Sequence, residues 1–177
     1  ISNSLTLTSK TISFWVNLNI NKYYNVVMSD NVDDYIGFDA SGNMVVKWRN
    51  SLNIQKIKNF NTNLIPGTWI HFILTFDVSD NSVSIKLYKN GVFLDSGTET
   101  DGFISNPIKS ISAQSYGDAP LNGSLDDIRI YSRALSASEI TDLYNYTGGS
   151  IVSPPSSTYT LTLNNTNTSG GTVTSSH

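Results

Sequence analysis

The stretch Gly123–Ile140, GSLDDIRIYSRALSASEI, constrains this chain more than any other part of it. Ile128 and Ile130 alternate with Arg129 and Tyr131, the period of a strand with one apolar face. Ser136 and Glu139 have capping-box spacing, in which the Ser oxygen accepts from the Glu139 amide and the Glu carboxylate accepts from the Ser136 amide. Ile140, Leu143 and Tyr144 then share one helical face, and Gly148-Gly149 supply the stop. The stretch therefore predicts a strand, a turn and a short helix. Asp126 and Asp127 enter that strand as the tight acidic pair next to a core element.

The remaining apolar pattern has the period of strands. Ile12, Phe14, Val16 and Leu18 alternate through 11–18. In 68–77, Ile70, Phe72, Leu74 and Phe76 face one way and Trp69, His71, Ile73 and Thr75 the other; bulk on both faces predicts a central strand covered on both sides. Val83–Tyr88 runs through Asn90-Gly91, a hairpin signal, into Val92–Leu94. Further strands are expected at 24–28, 35–38, 44–48, 53–57 and 108–113, with a hairpin turn at Asp39–Asn43. Short strands, frequent turns and one late helix predict an all-β, antiparallel sandwich.

Within 177 residues there is room for one sandwich and some remainder. Past Gly149 the composition changes. Residues 150–158, with Pro154-Pro155, read as a Ser/Pro linker. Residues 159–177 open with the alternating Tyr159–Leu163 and read as a partial β segment, either of a following repeat or packing back on the sandwich at an open edge near the N-terminus. Net charge is −3 with no basic block, so no nucleic-acid partner is expected. No run approaches the roughly 20 apolar residues that span a bilayer, so no membrane insertion is expected. The chain has no cysteine, which removes disulfides and thiolate metal sites.

The motif G-x-L-D-D-I-R-I-Y-x-R-A-L-S-x-x-E-I at 123–140, the strand T-I-S-F-W-V at 11–16 and W-I-H-F-I-L-T-F-D at 69–77 together resemble bacterial laminin-G-like domains of the concanavalin A-like superfamily. The resemblance implies a jelly roll over residues 1–149, with a first strand missing or upstream of residue 1. It also implies one structural Ca²⁺ held by Asp126 or Asp127, and a structural role for His71. The bland alternative for the pair is that one Asp accepts from loop amides while the other pairs with Arg129 or Arg133. Asp30, Asp33 and Asp34 read as a second acidic cluster in a solvated loop, with a metal site as the lesser alternative.

Chemistry is limited by what is absent. Glu99 and Glu139 are the only glutamates, so the paired carboxylates of a retaining glycosidase are missing, and a lone internal histidine gives poor odds for a triad. The expectation is a non-catalytic chain. Sugar recognition needs an aromatic platform with hydrogen-bonding neighbours; Trp48, Tyr35, Tyr24 and Tyr116, with Tyr23 beside them, sit at strand ends or in loops and are the candidates. Trp15 and Trp69 lie in strands and are expected in the core. The function expected is a carbohydrate-binding module, monomeric within a larger bacterial surface or secreted protein, with glycan or cell-surface protein as partner. The alternatives are a structural spacer or protein-adhesion module, and an accessory module of a polysaccharide-degrading enzyme.

Overall fold

The computed structural model describes residues 9–30, 34–103, 108–114 and 119–146. Its strands are β1 (Lys10–Leu18), β2 (Asn25–Ser29), β3 (Tyr35–Phe38), β4 (Met44–Arg49), β5 (Gln55–Phe60), β6 (Ile70–Ser79), β7 (Ser82–Lys89), β8 (Val92–Glu99), β9 (Ser110–Ile111) and β10 (Gly123–Tyr131), followed by the helix α1 (Ala137–Tyr144). They form two five-stranded antiparallel sheets, ordered β10-β1-β6-β7-β8 and β5-β4-β3-β2-β9.

Alternation decides which side chains meet between the sheets. Ile12, Phe14, Val16 and Leu18 of β1 and Ile70, Phe72, Leu74 and Phe76 of β6 point inward from the first sheet. Ile36, Phe38, Met44, Val46 and Phe60 meet them from the second. Phe72 ties the layers, 6.2 Å from the Phe14 ring and 5.4 Å from the Phe38 ring. Burying one such side chain contributes about 1.5–3 kcal/mol.

Strand β6 is covered on both faces, as its sequence predicts. Behind it, Ile73 and Tyr88 pack with Leu135, Ile140 and Leu143, so α1 lies on the outer face of the first sheet. The capping box is present in full at Ser136 and Glu139. Arg133 adds two contacts to the Glu139 carboxylate, at 2.5 and 2.8 Å, which with the Ser136 amide hold that carboxyl down at about 2. Thr11 anchors the turn before the helix: its Oγ1 donates to the Arg133 carbonyl at 2.8 Å and accepts from the Leu135 amide at 2.9 Å.

Three sequence-based expectations change. Strand β1 is not an edge, because β10 pairs along it on one side and β6 on the other; the late motif supplies the neighbour that an N-terminal edge would lack. The fifth strand starts at Gln55, because Asn50 Oδ1 draws the Leu52 and Ile54 amides into a turn. The expected strand at 108–113 shortens to Ser110–Ile111. The helix stop at Gly148-Gly149, the 150–158 linker and the 159–177 segment lie outside the described residues.

Candidate functional site

Asp126 and Asp127 sit at an irregularity where β10 slips against β1, between the pairs Ser13↔Arg129 and Trp15↔Asp126. Asp127 takes φ 47°, the left-handed backbone that Asp tolerates better than most residues. Asp126 Oδ1 accepts from the Asp127 amide at 2.8 Å, and Asp127 Oδ1 accepts from Arg129 Nε at 2.7 Å. The Arg129 guanidinium also lies 4.6 Å from the Tyr146 ring centre. Calcium takes about six to eight oxygens, and here a cation already takes up one of the two carboxylates. Among the described residues no three His, Asp or Glu side chains gather where they could hold a metal. The observed contacts of the pair are an amide cap and an ion pair.

The second acidic cluster is not a solvated loop at Asp34. That side chain is buried, with Arg49 Nε 3.3 Å from Oδ2 and Gln55 Nε2 donating to Oδ1 at 3.3 Å. Asp33 lies outside the described residues.

Trp48 is not on a ligand-accessible surface. It is the last inward-facing residue of β4, packed in the main core, and its buried Nε1 meets no acceptor among the described residues. It helps line a cleft of about 50 Å³ at one end of the sandwich, with Lys10, Asp30, Asp34, Tyr35 and Lys47. Lys10 packs over Phe76 and Phe103; burial lowers its ammonium to about 8, and Asp30 opposes the shift. Ligand pockets typically measure about 300–1,000 Å³. This cleft has room for waters, not for a sugar ring.

The tyrosines do come together. Tyr35 is buried on the outer face of the second sheet with Val26 and Val45, and the Lys47 ammonium lies 4.8 Å from its ring centre. Burial, with Tyr24, Asp39 and Tyr23 nearby, raises its phenol to about 12. Tyr24 meets Tyr35 edge-on at 6.1 Å, and Tyr23 meets Tyr24 at 5.3 Å and 72°. Exposure rises along this run from 5% at Tyr35 to 41% at Tyr24 and 75% at Tyr23, so two phenol rings stand open on a buried footing.

The loop that carries them is tied down. Asn25 Nδ2 donates to the Ile20 carbonyl at 3.0 Å, Asn25 Oδ1 accepts from the Asn122 amide at 3.0 Å, and Asn21 Nδ2 donates to the Leu64 carbonyl at 3.3 Å. Tyr24 itself takes φ 64°. The sequence signal for Tyr23 is the Lys22-Tyr23-Tyr24 run between two strands; spacing alone did not rank it above Trp48. Tyr116 lies outside the described residues.

Ser13 and His71 lie 2.8 Å apart through Oγ and Nε2, the distance of a nucleophile and its base. Both are fully buried, and among the described residues His71 Nδ1 has no partner, so no orienting carboxylate of a triad is among them. The imidazole is instead sandwiched between Trp15 at 5.0 Å and Tyr144 of α1 at 5.7 Å. The arrangement serves packing. Trp69, expected in the core, stands 44% exposed at the mouth of β6.

The family model described as the concanavalin A-like lectin/glucanases superfamily matches residues 2–141. No curated protein matches the sequence. Among solved structures, the CBM40 of Ruminococcus gnavus IT-sialidase, bound to α2,3 sialyllactose, aligns at TM-score 0.63 and 15% identity, over 79% of this chain and 84% of that one. A heptameric SAP-like pentraxin from Limulus polyphemus aligns at TM-score 0.57 and 15% identity, over 81% of this chain and 73% of that one. A putative carbohydrate binding protein from Bacteroides ovatus aligns at TM-score 0.58 and 16% identity, over 80% of this chain but 41% of its own length. At these identities the likeness is one of fold. No described helix is long and apolar enough to cross a membrane.

Proposed function

This chain belongs to the concanavalin A-like lectin/glucanase superfamily, and on that premise we propose that it is a non-catalytic carbohydrate-recognition module. The observation that carries the reading is the Tyr23–Tyr24–Tyr35 run with Lys47 behind it. An exposed phenol ring can stack on the apolar face of a pyranose, while its hydroxyl and a neighbouring ammonium take sugar oxygens. The buried end of the run fixes the rings before a ligand arrives, which lowers the entropic cost of binding. Several structural neighbours are themselves named for carbohydrate binding, one of them in complex with sialyllactose. The setting that suits such a module is a secreted or surface-exposed bacterial protein of several domains, with this chain as one monomeric unit.

A glycan array probed with the wild type and with the double variant Tyr23→Ala/Tyr24→Ala tests this. Loss of about tenfold or more in affinity is expected on removing a stacking platform of this kind. A folded wild type that binds no glycan, or a double variant that binds as well as the wild type, sinks the reading. Turnover of any polysaccharide by the chain alone overturns its non-catalytic part.

A protein-adhesion role is the second reading, favoured by one observation. Val92, Phe93 and Leu94 stand 69%, 53% and 38% exposed on β8, an edge strand of the first sheet. Consecutive exposed apolar residues on a strand edge are a feature of protein contacts.

A further inference from the structure

We infer that Asn90 is a covalent modification site: its side-chain amide is lost to attack by the Gly91 backbone nitrogen, and the product loosens the β7–β8 hairpin from β6 and α1. The reaction needs water and no ligand, so the inference is independent of the carbohydrate reading above.

Asn precedes Gly at two places in this chain, 90–91 and 122–123. An Asn-Gly peptide is open to this chemistry because Gly has no Cβ to hinder the approach of its nitrogen to the preceding side chain. The sequence nominates both sites, and the fold separates them.

Asn90 and Gly91 are the two-residue loop between β7 and β8, at φ 51° and 76°. Asn90 is exposed. Its Oδ1 accepts from the His71 amide at 3.0 Å, and its own amide donates to the His71 carbonyl at 2.9 Å. Among the described residues neither Asn90 Nδ2 nor the Gly91 amide has a hydrogen-bond partner. Three requirements of the reaction meet in this turn. The attacking nitrogen is unshared, the leaving nitrogen stands open to water, and a fixed N–H sits on the oxygen where negative charge develops.

Asn122 is held on every side. Its Oδ1 accepts from Asn19 Nδ2 at 2.9 Å, its amide donates to Asn25 Oδ1 at 3.0 Å, and its carbonyl accepts from the Asn19 amide at 2.8 Å. Gly123 opens β10 opposite Leu18, and a Cβ there would collide with the Asn17 carbonyl oxygen. The strand packed against this peptide keeps it from turning toward the Asn122 side chain.

At Asn90 a base takes the Gly91 amide proton, and that nitrogen bonds to Cγ. The Cγ–Nδ2 bond breaks, and the nitrogen leaves as ammonia from a cyclic imide. Water then opens the ring. Cleavage between Gly91 N and Cγ gives aspartate; cleavage between Gly91 N and the Asn90 carbonyl carbon gives isoaspartate, with the main chain running through Cβ and Cγ. One amide and one water become a carboxylate and an ammonium ion, and nothing is oxidised or reduced. Isoaspartate lengthens a loop whose length sets the strand register and removes the Asn90 oxygen that holds the His71 amide. A Cβ on Gly91 would lie 2.9 Å from the Tyr144 ring, so the end of α1 rests on this same turn. Any shift there reaches the Trp15–His71–Tyr144 stack.

The test incubates the full chain for weeks in mildly alkaline buffer, with a parallel sample in urea. Peptide mapping by mass spectrometry follows residues 90 and 122, and labelling by an isoaspartate-specific methyltransferase reports the rearranged product. In the folded chain Asn90 should convert at least about tenfold faster than Asn122, which must first give up its hydrogen bonds. In urea the two should convert alike. The isoaspartyl form, separated by anion exchange, should melt about 2–4 °C or more below the fresh chain, with a weaker near-ultraviolet signal from the aromatic stack. Asn90→Asp carries the carboxylate without the added backbone atoms and should keep that signal. The proposal is overturned if Asn90 remains an amide in the folded chain, if Asn122 keeps pace with it there, or if the isoaspartyl form melts as the fresh chain does.

Discussion

Lowering the pH from 7 to 4 should weaken this fold through His71, and the size of the effect follows from its surroundings. The imidazole is 1% exposed, stacked between Trp15 and Tyr144, with Nε2 on Ser13 Oγ and Nδ1 facing no acceptor. Charging it makes both ring nitrogens donors, and the one at Nδ1 has no acceptor among the described residues. Burial lowers it from 6.5 to about 4, with Asp127 opposing the shift and Arg129 adding to it. The unfolded chain therefore takes up a proton first. Stability is complete above about 6.5 and falls as pH drops toward 4, below which this group contributes no further slope. A depression of this size corresponds to about 3 kcal/mol, of which about 2 kcal/mol is gone by pH 5. At roughly 2–4 °C per kcal/mol, Tm should drop about 6–12 °C between pH 7 and pH 4.

Glu139, held down at about 2 from 4.5, loses its contribution only as pH falls below 4.5, so the window from 4.5 to 6.5 isolates the histidine. Calorimetric melts across that window, on the wild type and on His71→Gln, measure the effect. A wild-type Tm that is flat from pH 6.5 to 5 would refute the reasoning. So would the same slope in His71→Gln, or an NMR titration placing the His71 ring near 6.5.

Other expected outcomes concern packing and metal. Thr11→Val should cost about 2–5 kcal/mol in chemical denaturation, because it strands the Leu135 amide and the Arg133 carbonyl while keeping the side-chain shape; a loss under about 1 kcal/mol would mean that the helix turn is not anchored there. Gly91→Ala places a Cβ 2.9 Å from the Tyr144 ring at φ 76°, and should cost about 1–3 kcal/mol and disturb the near-ultraviolet signal of the Trp15–His71–Tyr144 stack; an unchanged spectrum and Tm count against that packing. Calcium and EDTA should leave Tm unchanged, since Asp127 is paired to Arg129; a calcium-dependent rise of several degrees would show that ligands are recruited around the pair.

The strands and the helix cap were legible because each rests on local spacing. Alternation in β1 and β6 tells which side chains can share a face, and Ser136 with Glu139 needs only its own backbone. Asp126 and Asp127 were visible as a pair, yet the sequence left two fates open for them. The bulge that turns Asp127 toward Arg129 comes from how β10 meets β1, two segments more than a hundred residues apart. The tyrosine run was half legible: Tyr24 and Tyr35 were candidates, but their meeting depends on β2 pairing with β3.

The tryptophans mark the division between the two kinds of information. The sequence by itself determined a two-layer β sandwich with one capped helix, because periodicity and capping act over a few residues and do not depend on what lies across the fold. It ranked Trp48 as the ligand candidate and Trp69 as core, and the fold reverses the two. Only the tertiary structure decided that one indole faces the opposite sheet and the other faces water. That outcome depends on where the two layers overlap and where they end, and burial is a property of the layer that arrives, not of the residue that waits for it.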